Sequence, residues 1–283
     1  MKALFDVPAP AKLNLFLHVT GRREDGYHLL QSAFMLIDWC DTLHFERRSD
    51  GLVQRHDLAT ALPADDLITH AAALLQQTTG ISLGADISID KRIPTQAGMG
   101  GGSSDAASTL LALNRLWDLQ LPLHRLEQLG LQLGADVPFF LRGHNAWVEG
   151  VGEQITPIQL PPARFCVIKP QAGVETASIF RHPQLERSTK PATITVFAAD
   201  PYGFGHNDLQ PVAELLCPEV KSAVEFLKTH GLQARMTGSG SAVFAHCTQG
   251  SEAVLAPDQW TVRKCSNLEV HPCLLYTSPS PRD

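Results

Sequence analysis

Residues 94–107 read P-T-Q-A-G-M-G-G-G-S-S-D-A-A, and no other stretch limits so sharply what this chain can fold into. An alternating segment carrying Ile87 and Ile89 precedes it, and a helical pattern of Leu110, Leu111, Leu113 and Leu116 follows. Gly98, Gly100, Gly101 and Gly102 leave the backbone free to take positive φ and to approach a bound group closely. Ser103, Ser104 and Asp105 are favoured N-cap residues, so the loop is expected to run into a helix N-terminus. Free N–H groups at the positive end of a helix dipole form an anion site, above all for phosphate. A Walker A loop is excluded, because no lysine follows Gly102. The pattern G-x-G-x-x-G also fails, since Ser103 stands where its third glycine belongs. The stretch reads as a third kind of phosphate loop, one for a nucleoside triphosphate.

The 283 residues suit two modest domains or one large one. A hydrophobic content of 44% with 18% charged residues describes a soluble globular protein. The net charge of −6 argues against nucleic acid as a main partner. A polyanionic ligand must therefore be met by loop amides and a few placed cations. The six cysteines are scattered without C-x-x-C or metal-like spacing and read as free thiols in a reducing compartment. The early apolar run is broken by Asn14 and His18, with no small-residue cleavage site after it, so no signal peptide is expected. No run approaches the ~20 apolar residues that span a bilayer. A cytoplasmic protein without membrane partners is the expectation.

Residues 12–19 alternate, with Leu13, Leu15, Leu17 and Val19 on one face and Lys12, Asn14, Phe16 and His18 on the other. This period of two predicts a strand with one core face, and it sets Lys12 and Asn14 side by side. The stretch G-R-R-E-D-G-Y-H at 21–28 is turn-rich. Asp65 or Asp66 should cap a helix through Leu67, Ala71, Leu74 and Leu75 that Gly80 closes. Another helix is expected between Pro122 and Gly134. Beyond it, Asp136 lies two residues before Pro138, flanked by Val137, Phe139 and Phe140. A carboxylate there is either an Asx-turn residue or, desolvated beside a cation, a candidate general base. Glycine and proline concentrate at 150–162, which predicts a domain boundary. Strands at 165–169, 232–236, 242–247 and 260–265, a short helix at 177–180 and a longer one at 218–230 predict a second αβ unit with an antiparallel sheet. T-G-S-G-S at 237–241 reads there as a glycine turn.

Together these residues resemble the GHMP kinase superfamily. Three motifs carry the likeness in order: P-A-K-L-N-L-F-L-H-V at 10–19, the glycine stretch at 94–107, and M-T-G-S-G-S-A-V-F-A at 236–245. R-E-D-G-Y-H and L-G-A-D-V-P-F-F are similar to the branch that phosphorylates a cytidyl-diphosphate-linked methylerythritol, rather than to mevalonate or homoserine kinases. The resemblance implies an α+β, two-domain GHMP kinase fold. Its N-terminal ribosomal-protein-S5-domain-2-like, ATP-binding domain would occupy 1–157, and a ferredoxin-like αβ domain 158–272. It implies ATP with Mg²⁺, the metal ligands being left open, and a small cytidyl-diphosphate acceptor phosphorylated on its 2-hydroxyl in the non-mevalonate route to isoprenoid precursors. The alternatives are a kinase of another small alcohol, or a silent nucleotide-binding regulator. A monomer or homodimer is implied.

Carried over by position, Lys12 and Asp136 resemble the catalytic pair. Pro94, Thr95, Gln96, Ala97, Gly98, Met99, Gly100, Gly101, Gly102, Ser103 and Ser104 resemble the ATP-phosphate loop, with polar bulk at Thr95 and Gln96 where some relatives carry more glycine. Asn14, Tyr27, His28 and Phe180 resemble the acceptor pocket, which in the family holds cytosine by stacking and hydrogen bonds. The likeness stops near Pro272. Residues 273–283, C-L-L-Y-T-S-P-S-P-R-D, have no helical or strand period and read as a non-native tail outside the fold.

Overall fold

The computed structural model describes residues 1–247 and 257–277. Its first sheet opens with a long hairpin, β1 (Ala3–Arg22) against β2 (His28–Arg48), joined by the turn around Gly26. On β2 the sheet continues through β4 (Gly84–Asp90) to β3 (Val53–Asp57) on one side, and through β5 (Ala146–Gly150) to β6 (Gln154–Pro157) on the other. No strand was foreseen over β2. Its residues 31–37 are all buried, so the polar face that gives a half-exposed strand its alternation is missing.

Four helices cover this sheet: α1 (Leu67–Thr79), α2 (Gly101–Leu116), α3 (Leu123–Leu133) and α4 (Val137–Arg142). Asp66 caps α1, accepting from Ile68 N and Thr69 N, and Gly80 ends it in the left-handed conformation. Helix α2 is buried on every side from Ser104 to Leu113, as a central helix must be. Its Leu110 and Leu113 join Ile87 of β4, Phe45 of β2 and Leu75 of α1 in one apolar cluster.

The second sheet contains β7 (Arg164–Lys169). After it come α5 (Thr176–Arg181), α6 (Ile194–Ala199), α7 (Gln210–Leu216) and α8 (Pro218–Thr229), then β8 (Ala234–Met236), β9 (Val243–Cys247) and β10 (Thr261–Ser266). The strand order is β10-β7-β9-β8 and every pair is antiparallel. Val220, Val224 and Leu227 of α8 pack with Ile168, Met236 and Val243 of this sheet. Sheet membership changes between Pro157 and Arg164.

Two expectations need correction. Strand β1 is buried on both faces rather than one: Lys12, Asn14, Phe16 and His18 are as covered as Leu13 and Leu15. Its edge away from β2 is also occupied. Lys12 N donates to Met99 O (3.0 Å), Asn14 N to Thr237 Oγ1 (2.9 Å) and Leu17 N to His206 O (2.9 Å). The second concerns residues 273–277, the described part of the 273–283 tail that was expected to lie outside the fold. Pro272–Thr277 form α9, Cys273 is buried in the cluster beneath α2, and Leu274 packs against that cluster. His271 N donates to Gly143 O (2.7 Å), which docks the segment beside α4. Pro272 stands at the first position of this helix, where its missing N–H is not needed, and Cys273 gives it a buried side chain. Residues 278–283 lie outside the described part.

Candidate active site

The glycine loop joins Lys91, just past β4, to α2, and the turn at 237–241 grips it from the second sheet. Ser241 N donates to Gln96 O (3.1 Å) and Ala242 N to Ala97 O (3.2 Å). Gly98 has φ +70°, and a Cβ on it would fall 2.2 Å from Thr237 O and 2.8 Å from Gly240 N. A Cβ on Gly238 would fall 2.7 Å from Gly98 O. The second glycine turn therefore clasps the first, backbone against backbone. The glycines were expected to admit a bound group, yet three of them are set by the protein itself. A Cβ on Gly100 would strike the Phe140 ring at 2.9 Å, and one on Gly101 would meet Lys91 Nζ at 3.0 Å. Only Gly102 has ordinary room, with Leu67 Cδ1 at 3.7 Å.

The helix also starts earlier than the sequence predicts. Gly100, at φ +69°, occupies the N-cap of α2, so Ser103, Ser104 and Asp105 lie inside the helix instead of capping it. The left-handed conformation of Gly100 turns the chain into the helix before the polar residues are reached. This leaves the first N–H groups of α2 at the wall of a cavity of about 660 Å³. Pro94, Thr95, Gln96, Ala97, Gly98, Met99, Gly100, Gly101, Gly102 and Ser103 all line it. Ser104 does not; it is fully buried behind them. Leu62, Pro63, Leu67 and Ile68 add apolar lining, interrupted by Asp66.

A lysine at this cavity escaped the sequence reading. Lys91 lines it with its ammonium paired to Asp41 and, at 2.8 Å, to Asp105. Burial works against the Lys91 ammonium, but the Asp105 and Asp41 carboxylates outweigh it and hold its pKa above the ordinary value. Asp41 also accepts from Arg92 N (2.6 Å) and Ile93 N (2.7 Å), whereas Asp105 Oδ1 is buried without a partner. Burial pushes the Asp105 carboxyl well above the carboxylate range; Lys91 opposes the shift and Asp41 adds to it. The signal lay in K-R directly before the loop, but its partners are distant in sequence.

A second cavity, about 250 Å³, meets the first at Gly98, Gly100, Thr176 and Ser239. Lys12, Asn14, Asp136 and Phe180 line it. Lys12 Nζ sits 3.5 Å from Asp136 Oδ2, donates to Asn14 Oδ1 and lies 4.6 Å from the centre of the Phe34 ring. Asn14 Nδ2 in turn donates to Ser32 Oγ (2.9 Å). Asp136 occupies the N-cap position of α4 but makes no capping hydrogen bond, so the Asx-turn alternative does not describe it. Its carboxylate is 32% exposed and turned to the cavity, while the Lys12 side chain is almost wholly buried.

Of the remaining expected acceptor residues, His28 reaches Phe180, ring centres 5.0 Å apart at 34°. His28 is not in the cavity wall itself. Tyr27 is 65% exposed in the turn between β1 and β2, also outside that wall.

Comparison with known proteins agrees with this geometry. The GHMP kinase N-terminal domain model matches residues 66–144, and the GHMP kinase C-terminal model matches 198–266. A 4-diphosphocytidyl-2-C-methyl-D-erythritol kinase of Delftia acidovorans is 65% identical, with 96% of each chain covered. One from Variovorax paradoxus is 61% identical over 96% of this chain and 98% of that protein. A crystal structure of 4-(cytidine 5′-diphospho)-2C-methyl-D-erythritol kinase superposes with a TM-score of 0.78 at 35% identity, covering 92% of this chain and 98% of the other. The homoserine kinase of Cytophaga hutchinsonii shares the fold, with a TM-score of 0.71 at 15% identity. The chain belongs to the GHMP kinases, and within them to the family of these 4-diphosphocytidyl-2-C-methyl-D-erythritol kinase relatives. It is an ATP-dependent small-molecule kinase.

Proposed function

We propose that this chain phosphorylates the 2-hydroxyl of 4-diphosphocytidyl-2-C-methyl-D-erythritol, using ATP, in the non-mevalonate supply of isoprenoid precursors. The observation that carries the reading is the pairing of Lys12 with Asp136 in the smaller cavity, which opens into the larger one past Gly98 and Gly100. The larger cavity has the size and lining of a nucleotide site, with apolar lining for a base and helix N–H groups for phosphates. The smaller one takes the reacting end of the acceptor, with Phe180 and His28 toward its cytosine.

In this arrangement Asp136 accepts the proton of the attacking hydroxyl. Lys12, 3.5 Å from that carboxylate, stabilises charge on the reacting oxygens. Asn14 holds the Lys12 ammonium on that line. Phosphoryl transfer relies mainly on such positioning and charge stabilisation. Mg²⁺ bound to the triphosphate would supply charge neutralisation there. Among the described residues no three His, Cys, Asp or Glu side chains gather as a metal cage, which suits an ion held chiefly by phosphate oxygens and water.

The test is a coupled ADP-release assay with purified protein, comparing the cytidyl substrate with mevalonate and homoserine. Turnover should require the cytidyl compound. Equal turnover of mevalonate or homoserine would assign the acceptor wrongly, and no ADP from any of them would leave a nucleotide-binding regulator.

A further inference from the structure

Arg187 lies in the connector that follows α5, and its guanidinium is spent on Phe180, which lines the smaller cavity, and on three residues behind that wall. Its Nη2 donates to Phe180 O (3.0 Å) and His182 O (2.8 Å), and its Nη1 to Leu185 O (3.0 Å). Its Nε donates to His28 Nε2 (3.1 Å). No carboxylate is among these partners. Helix α5 is only six residues long, and its last carbonyls have no partner within the helix. Arg187 supplies donors to that end and ties it to the first residue of β2, which belongs to the other sheet.

The bond to His28 also fixes a proton. A guanidinium can only donate, so Nε2 of His28 accepts, and the neutral ring must carry its hydrogen on Nδ1. Burial, then the Arg187 and Arg22 cations, keep this imidazole below its ordinary pKa. These are the charged groups that face it: Arg22 across the β1–β2 pair and Arg187 from the connector. The Phe180 ring beside it lines the cavity that holds Lys12 and Asp136.

We infer that Arg187 is a positioning residue for the base-binding end of the acceptor pocket, hanging the Phe180 wall from His28 and holding the His28 ring as a neutral Nδ1 donor. This rests on the acceptor reading given above. A neutral donor beside an aromatic face suits a pyrimidine that presents carbonyl and ring-nitrogen acceptors.

The experiment is steady-state kinetics of Arg187→Ala, Arg187→Lys and Phe180→Ala, across pH, with ATP and the cytidyl substrate varied in turn. In Arg187→Ala the acceptor KM should rise about 10- to 100-fold, while the nucleotide KM and kcat at saturation stay within about twofold. Arg187→Lys should be only partly restored, because an ammonium cannot hold the same fork of partners. With the cation removed, His28 keeps a proton to higher pH. The acid limb of kcat/KM for the acceptor should then move upward in Arg187→Ala but stay in place in Arg187→Lys. An unmoved limb in Arg187→Ala, or equal losses in nucleotide and acceptor KM, would overturn the inference. If Phe180→Ala raises acceptor KM and Arg187→Ala does not, the inference alone fails; if Phe180→Ala is normal, the acceptor reading fails with it.

Discussion

Gly98 and Thr237 touch through their main chains, with a Cβ on the glycine placed 2.2 Å from the threonine carbonyl oxygen. The same threonine hydroxyl accepts the Asn14 amide at 2.9 Å. One residue of the turn between β8 and β9 thus sets both the phosphate loop and the strand that carries Lys12.

This contact separates two glycines that look equivalent in sequence. Gly98→Ala puts a side chain at φ +70° and against backbone, so thermal unfolding should show a loss of about 1–3 kcal/mol. Gly102→Ala has room within the protein, and should melt at or above the parent temperature while raising the nucleotide KM, because its methyl enters the cavity wall. The reverse pattern would mean that the loop is shaped by its ligand rather than by the clasp.

Asp136→Asn should lower kcat by at least ~10² while leaving the ATP dissociation constant nearly unchanged, as measured by kinetics and calorimetry. A near-normal kcat would remove Asp136 from the base role. Lys12→Ala should be worse for both activity and melting temperature, because it also strips Asn14 of a buried partner.

Asp105 predicts an alkaline weakness. Its folded pKa is raised, so its contribution to stability is fully present below about pH 4 and is lost as pH climbs through the raised value. Asp105→Asn keeps the shape without the ionisation. Melting curves should show the variant gaining on the parent as pH rises through the neutral range, and a constant difference would contradict the assignment.

His271 predicts the opposite sign. It is fully buried, and burial lowers its imidazole pKa to about 3. The neutral ring accepts from Cys273 N (3.1 Å) at the start of α9. Its stability contribution is complete above about pH 6.5 and is lost as pH falls toward the folded value. His271→Gln should therefore lose less stability than the parent between pH 6.5 and 4 in matched thermal melts.

Much of this architecture was readable where local chemistry decides it. The Asp66 cap, Gly80, the α3 limits and the strands and long helix of the second sheet follow from capping and periodicity. The α2 start did not, because Gly100 reached the cap position before the better capping residues. Strand β2 was missed because burial on both faces removes alternation. The turn at 237–241 looked like an ordinary hairpin, since nothing local reveals that its amides bond Gln96 and Ala97. The meeting of Lys12 with Asp136 was available only through family likeness, and the hold of Arg187 on His28 through neither route.

The outer rim of β1 carries a last consequence, for synthesis. Thr237 closes it, so the opening hairpin leaves the ribosome long before its sealing partner is made. Until then an apolar strand presents unpaired amides to solvent, which is the kind of edge that recruits other chains. Slowing translation near residue 237 should lengthen that window and increase the demand for chaperones, whereas a pause after the rim is shut should not.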